Sequence, residues 1–265
     1  MSHLKWGVDP AIFHLGSIEV RWYGVLFAIG LLIGLYIMEY IFNRENVKRE
    51  LLDPLFLYLV VGIVVGARLA HCLIYEPQYF LTHPIEILKI YKGGLASHGG
   101  ILGAIIALYL YSKRYKIDFL WLFSRLIIPM FLLAALIRIG NFFNSEILGK
   151  ASNLPWAIIF ERVDNIPRHP VMLYESIAYF LIFGLSFYLY KRLNSKTFTY
   201  LMPPIALILG FLARFILEFF KEKQADYSLN IPLSVGQLLS IPFFLIGIIF
   251  LIWSIKKIKE ENSKV

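Results

Sequence analysis

The chain has 265 residues, of which 58 % are apolar and 17 % are charged, and its mean hydropathy is +0.67. A soluble domain is nearer half apolar and a quarter charged, so this composition excludes a disordered chain, a coiled coil and an ordinary soluble enzyme. The single cysteine, Cys72, excludes an intramolecular disulfide and a four-cysteine zinc site. The net charge of +8 does not indicate nucleic-acid binding, because Lys and Arg lie mostly in short gaps between apolar runs.

Seven apolar stretches are long enough to cross a bilayer as helices, since about 20 residues span a hydrocarbon layer of about 30 Å. The third is the weakest, because Ser97 and His98 interrupt its start. No small-residue cleavage site follows the first, so we expect it to remain in the mature protein. The sequence therefore predicts an all-α polytopic membrane protein, a bundle of seven transmembrane helices in a single domain over 1–265. The predicted spans are 22–42, 54–75, 95–112, 117–137, 170–190, 200–220 and 232–255.

The basic residues predict the orientation of the spans. One set of gaps holds 13 Lys and Arg in 34 residues, whereas the opposite set holds 10 in 83 residues. Cytoplasmic loops are enriched in Lys and Arg, so the denser set should be cytoplasmic. This places the N-terminus in the periplasm, the C-terminus in the cytoplasm, and the two longest gaps, 76–94 and 138–169, on the outer side. The denser set comprises 43–53, 113–116, 191–199 and 256–265.

Three arginines interrupt the apolar runs, although a charge at mid-bilayer costs about 2.5–3.5 kcal/mol on insertion scales. Arg125 lies near the inner end of its span and should extend to the inner headgroups. Arg68 shares a helical face with His71, which favours a satisfied structural cluster. Arg214 precedes Glu218 by one helical turn, so the two share a face. They could form a structural ion pair, or an anion site in which Glu218 orients the arginine.

A polar run follows the fourth span, in the stretch RIGNFFNSEILGK at 138–150. The spacing puts Arg138 and Asn141 on one face if the helix continues, and Glu146 follows closely. The planar fork of an arginine suits phosphate, and an asparagine can add donors. The run therefore predicts a phosphate site at the outer interface, and a structural loop held by hydrogen bonds is the alternative.

Three other polar residues are candidates for the same region. His98 lies in YKGGLASHGG at 91–100 and can exchange a proton near neutral pH, although a lone histidine near a membrane surface is more often structural. Glu175 lies inside the fifth span and needs a cationic partner, for which an arginine is the obvious candidate. Tyr23 could be an ordinary interfacial aromatic. Together these residues indicate an Arg-lined polar cavity near the outer leaflet that holds a phosphate-bearing lipid, whether to transport, sense or cut it.

Five motifs lie in order along nearly the whole chain: RWYG at 21–24, GGLASHGG at 93–100, RIGNFFNSEILG at 138–149, RHPVMLYE at 168–175 and RFILEFF at 214–220. Together they resemble the prolipoprotein diacylglyceryl transferase family. A single block would be weak evidence, but five at family-like intervals on the right number of spans are specific. GQLLS at 236–240 adds weaker support.

The resemblance implies a bacterial inner-membrane enzyme with seven helices and its active site toward the outer leaflet. Its substrates would be phosphatidylglycerol, in contact with membrane lipids, and preprolipoprotein signal peptides with a lipobox cysteine. The enzyme would transfer the diacylglyceryl group to the cysteine thiol and release glycerol 1-phosphate, the first step of lipoprotein maturation. No metal or cofactor would be required, because phosphatidylglycerol carries its own leaving group, and no nucleic acid would be bound.

The resemblance also implies roles for individual residues. His98, Arg138 and Arg214 match catalytic positions, with His98 as a base toward the acceptor thiol and Arg138 also binding phosphatidylglycerol. The remaining matches would shape the headgroup site. Better-known members carry a tyrosine four residues before the second arginine, where this chain has Gly210, so another tyrosine supplies that hydroxyl or its role is lost. The expected substrate-binding residues are Arg138, Tyr23, Asn141, Glu146, Gly149 and Glu218.

Two other function classes are compatible with the residues alone. A transporter or channel for an anionic solute would also contain buried arginines, but such proteins often show inverted repeats and helices broken at mid-membrane. The sequence shows no repeat, and its polar clusters gather at the outer ends of the spans. A lipid-binding scaffold would predict binding without turnover.

Overall fold

The structure is a computed structural model and describes residues 3–15, 18–90, 93–222 and 233–263. The chain divides into two compact units. Residues up to Ile37, together with those from Ser124 onward, form the first unit. Met38–Phe123 form the second.

Long apolar helices make up most of the described chain, which confirms a polytopic, mostly helical membrane protein. Six helical segments in the described residues are long and apolar enough to cross a membrane. α4 is not among these six, so the predicted third span remains a prediction; glycines, Ser97 and His98 lower the hydropathy of its first turns. The helices are α1 (Trp22–Arg44), α2 (Leu52–Ala70), α3 (Pro77–Thr82), α4 (Ser97–Tyr115), α5 (Phe119–Asn144), α6 (Val171–Arg192), α7 (Ser195–Leu217) and α8 (Val235–Asn262).

Two small sheets in the first unit were not predicted, because strands of two to five residues carry little pattern of their own. β1 (Leu4–Trp6) pairs in parallel with β4 (Ile158–Phe160), and β5 (Pro167–Arg168) pairs antiparallel with β4. β2 (Ala11–Leu15) and β3 (Ile18–Arg21) form an antiparallel hairpin.

A small hydrophobic cluster ties the first of these sheets to the end of α5. Phe142 and Met172 pack with Ile158 and Phe160 of β4, and all four are buried. The ring of Trp6 on β1 lies 4.3 Å from that of Phe142. This packing fixes the last turns of α5, where the polar run from Arg138 begins.

Arg125 corrects the expectation that it reaches the inner headgroups. Its residue is fully buried, and its guanidinium donates to Ser124 Oγ at 2.8 Å, to Ser195 Oγ at 2.5 Å and to the Thr199 hydroxyl. It also lies 5.3 Å from the Phe198 ring centroid. The first turn of α7 supplies enough oxygen atoms to satisfy the guanidinium inside the protein, so the side chain has no reason to extend to the surface.

The second unit is built on a close contact between α2 and α4. Gly62 and Gly66 on α2 face Gly99 and Gly103 on α4, and a Cβ atom at Gly62 would lie 2.6 Å from the Gly103 carbonyl oxygen. Paired glycines one helical turn apart let membrane helices approach through their backbones. The first turn of α4, which contains His98, is thereby held against α2.

Candidate active site

The polar run after the fourth predicted span forms a chain of hydrogen bonds at the end of α5. Arg138 Nη1 donates to Asn141 Oδ1 at 3.0 Å, and Asn141 Nδ2 donates to Glu146 Oε2 at 3.0 Å. α5 continues to Asn144, so the predicted shared face of Arg138 and Asn141 is confirmed. Ile147 has φ of 58°, an unusual conformation for a β-branched residue and one that often marks a functional segment.

Glu175 binds Arg138, which confirms that an arginine is the partner of this buried acid. Arg138 Nε lies 2.8 Å from Glu175 Oε2, and the Glu175 side chain is 1 % exposed. The other carboxylate oxygen accepts from Lys221 Nζ at 2.7 Å, and Lys221 Nζ is also 3.5 Å from Glu218 Oε2. Sequence reasoning missed Lys221, and the only available signal was a lysine directly after the RFILEFF motif.

Backbone pairing brings Lys221 to this cluster. Gly149 forms an antiparallel bridge with Lys221, and the amide of Lys150 donates to the Phe220 carbonyl at 2.8 Å. A Cβ atom at Gly149 would lie 2.7 Å from the Cβ of His169. The position therefore requires a glycine, because the backbone of His169 approaches it closely.

Arg214 and Glu218 do not form the ion pair that their spacing suggests. Glu218 accepts instead from Ser234 Oγ at 3.1 Å and faces Lys221. Glu218 keeps its helical position, because its amide still donates to the Arg214 carbonyl, and it is the carboxylate that is held elsewhere, by Ser234 and Lys221. Among the described residues, the half-buried guanidinium of Arg214 makes no hydrogen bond or ion pair.

Two tyrosines accompany the arginines. Tyr179 on α6 interacts electrostatically with Arg138, Arg214 and Glu175, which places Arg214 in the same polar group. Tyr23 on α1 interacts with Arg138 and Glu146, and a Cβ atom at Gly140 would lie 2.7 Å from its ring. The expected site residues Tyr23, Arg138, Asn141, Glu146 and Arg214 are thus brought together within one unit.

A charged loop supports this cluster from outside the membrane-spanning segments. Arg168 Nη1 donates to the Gly149 carbonyl at 3.3 Å and to Glu222 at 2.8 Å, and Arg168 Nη2 donates to Asp164 at 2.6 Å. The hydrogen bond to Asp164 raises the pKa of Arg168 and lowers that of Asp164. Burial, followed by the charge of Lys150, lowers the pKa of His169 below its usual value near 6.5.

His98 lies in the first turn of α4 in the second unit, with an exposed side chain. Arg138 and Arg214 belong to the first unit. The joint action of His98 with these arginines therefore stays a prediction. Tyr91 and Lys92, the first two residues of its motif, lie outside the described residues.

The family model for prolipoprotein diacylglyceryl transferase matches residues 10–253. The chain belongs to this family. The match extends over both units, and every polar group described above falls within it. Membership makes this chain a multi-pass inner-membrane transferase.

Curated relatives agree over nearly their full lengths. A phosphatidylglycerol–prolipoprotein diacylglyceryl transferase of Chloroherpeton thalassium is 48 % identical over 263 residues, 99 % of this chain and 98 % of the relative. The protein of the same name from Tolumonas auensis is 49 % identical over 96 % of this chain and 98 % of its own. That from Bacteroides fragilis is 40 % identical over 96 % of both.

Proposed function

We propose that this member of the prolipoprotein diacylglyceryl transferase family transfers the diacylglyceryl group of phosphatidylglycerol to the lipobox cysteine thiol of a preprolipoprotein. The observation that carries the assignment to this site is Arg214, a half-buried cation with no counter-ion among the described residues. A buried charge without a partner is costly, and an arriving phosphodiester would supply that partner.

The reaction forms a carbon–sulfur bond and breaks the bond between the glyceryl carbon and a phosphate oxygen. The bond electrons go to that oxygen, so negative charge develops on the departing glycerol phosphate. The guanidinium groups of Arg138 and Arg214 stabilise this charge best when they are oriented before it forms. Glu175 and Asn141 hold Arg138 in that orientation, since Glu175 forms an ion pair with its Nε and Asn141 accepts a hydrogen bond from its Nη1.

The acceptor is a thiol supplied by the peptide substrate, and its proton must leave for the thiolate to attack. An unperturbed thiol has a pKa of about 8.5, so a base or a positive field raises the reactive fraction. His98 takes this proton in our proposal. The headgroup site is shaped by Tyr23, Asn141, Glu146 and Gly149. Glu218 contributes by holding Lys221, which in turn binds Glu175.

The setting of the site is also proposed. Both units belong to one membrane domain of seven spans in which α4 is the third, with the N-terminus periplasmic and the C-terminus cytoplasmic. The site faces the outer leaflet, where phosphatidylglycerol and the signal peptide meet. The chemistry requires neither metal nor cofactor. No observation favours the alternative of a transporter or channel for an anionic solute.

The test supplies the purified protein with phosphatidylglycerol vesicles and a lipobox peptide. We expect release of glycerol phosphate together with a peptide mass increase equal to the diacylglyceryl group. The same peptide with serine in place of the cysteine is the matched control and should remain unmodified. Absence of release, while a relative is active under the same conditions, would overturn the proposal.

A further inference from the structure

Arg68 on α2 is a buried cation whose hydrogen bonds go almost entirely to backbone carbonyls. Its residue is 5 % exposed. Nε donates to the Ile87 carbonyl at 2.9 Å and Nη2 to the Glu86 carbonyl at 2.6 Å. Nη1 donates to the carbonyls of Gly93 and Gly94 at 2.6 and 3.2 Å. One guanidinium therefore joins two separate backbone segments of the second unit to α2.

The second of these segments leads directly into His98. After Gly94, the amide of Ala96 donates to the Ala67 carbonyl at 3.0 Å, on the turn of α2 that carries Arg68. α4 then begins at Ser97, and Gly99 packs against Gly66 and Ala70 of α2. The backbone on both sides of His98 is thus attached to α2.

We propose that Arg68 is a positioning residue for His98, acting by fastening the backbone at residues 93–94. This inference rests on the proposed role of His98 in the transfer reaction. A lysine could not replace the arginine, because a single ammonium cannot present the planar fork that reaches Ile87, Glu86 and Gly93 at once. A hydrophobic residue would remove all four of these hydrogen bonds, and of the four part-buried carbonyls only that of Glu86 would keep another donor among the described residues, the Lys89 amide.

Gly94 explains how tightly the segment is fastened. It has φ of 72°, and a Cβ atom there would lie 2.5 Å from His71 Nε2 and 2.9 Å from Arg68 Nη1. Gly93 has φ of 83° but no atom within 4 Å of such a Cβ. An alanine at either position would strain the backbone, because both glycines have positive φ. Only an alanine at Gly94 would also clash with Arg68 and His71.

The structure also allows chemical rescue. A cavity of about 290 Å³ borders Arg68, Gly93 and Gly94. It is larger than a guanidinium ion, so free guanidinium can reach the place of the missing side chain in Arg68→Ala. A loss caused only by general destabilisation would not be restored in this way, and His98→Ala should not respond to guanidinium at all.

The experiment measures steady-state transfer and hydrogen exchange of the full chain in phosphatidylglycerol nanodiscs. For Arg68→Ala we expect kcat to fall about 10- to 100-fold, the effect of misplacing a reacting group by about 1 Å, with KM for phosphatidylglycerol nearly unchanged. Millimolar guanidinium should restore part of kcat. Gly94→Ala should lose much more kcat than Gly93→Ala, which keeps the test valid if Arg68→Ala fails to fold.

Hydrogen exchange measures, independently of enzyme activity, whether Arg68 holds the backbone at residues 93–94 in place. Arg68→Ala should raise exchange in a peptide covering 93–99 while the α2–α4 glycine contact stays protected. An unchanged 93–99 peptide, uniform loss of protection throughout the second unit, or equal losses in the two glycine variants would overturn the inference. An inactive wild-type protein with the expected exchange pattern would instead overturn the proposed function.

Discussion

Two arginines on α5 illustrate two uses of a cation inside a membrane protein. Arg125 is fully buried, and the oxygen atoms of Ser124, Ser195 and Thr199 satisfy it. Arg138, near the other end of the helix, is bound by the Glu175 carboxylate and the Asn141 amide. Serine and threonine oxygens surround Arg125. The group around Arg138 contains charged side chains, and it includes Arg214, which has no counter-ion in the part of the chain that the structure describes.

This difference separates a structural arginine from a functional one. The environment of Arg125 is complete, so a ligand could gain nothing from it. The cluster around Arg138 holds its acids in place through Lys221 and leaves Arg214 without a counter-ion among the described residues. An incoming phosphate would complete the second environment, and hydropathy alone could not distinguish the two arginines.

The largest expected effect is the loss of turnover in Arg138→Ala. Removing a preorganised donor from a developing negative charge typically lowers kcat about 10²- to 10³-fold. The measurement is glycerol phosphate release, with membrane insertion checked in parallel. Arg138→Lys is the matched control for folding, because it keeps a cation beside Glu175 and should insert normally while remaining strongly impaired. Near-normal turnover in Arg138→Ala would remove Arg138 from the site.

A second, smaller loss is expected for Arg214→Ala. Turnover should fall about 10²-fold, since one donor to the phosphate is lost. Arg214 pairs with no acid among the described residues, so the substitution breaks no ion pair and thermal stability should be retained. The measurement combines turnover with the unfolding temperature in detergent. A large drop in that temperature would show that Arg214 has a structural ion pair and would weaken the contrast with Arg125.

Arg125→Met should show the opposite behaviour. The hydroxyls of the buried residues Ser124 and Thr199 would lose their donor, which costs about 1–3 kcal/mol of unfolding free energy. The kcat and KM of the folded fraction should match those of the wild type. Thermal unfolding and transfer assays on the same preparation test this. A specific loss of kcat without destabilisation would contradict the structural role.

The smallest effect concerns pH and His169. Its folded pKa lies below the unfolded value near 6.5, so its contribution to stability is fully present above pH 6.5 and is lost as pH falls through the folded pKa. The Asp164 contribution persists to much lower pH, because its folded pKa is below the usual value near 4. His169→Gln should therefore reduce the slope of unfolding temperature against pH between pH 7 and 5. An identical slope in both proteins would refute this.

Several features of the site followed from local spacing. Arg138 and Asn141 lie three residues apart on a helix that continues, so their contact was predictable. Glu175 had to find a cation because it lies within an apolar helix. The ion pair between Arg214 and Glu218 does not form, because Ser234 and Lys221 hold the Glu218 carboxylate, and spacing along one helix does not reveal those partners. Lys221 reached the cluster only through its backbone bridge to Gly149.

The amino-acid sequence by itself determined that the chain enters a membrane, where its apolar helices lie, and which family its motifs match. These properties depend on short stretches read one at a time, since hydrophobicity adds up along a helix. Tertiary structure alone decided which cation binds which acid, and which arginine has no counter-ion among the described residues. Ion pairs and hydrogen bonds depend on groups brought together from distant parts of the chain within a few ångströms, and the printed order of residues does not contain those distances.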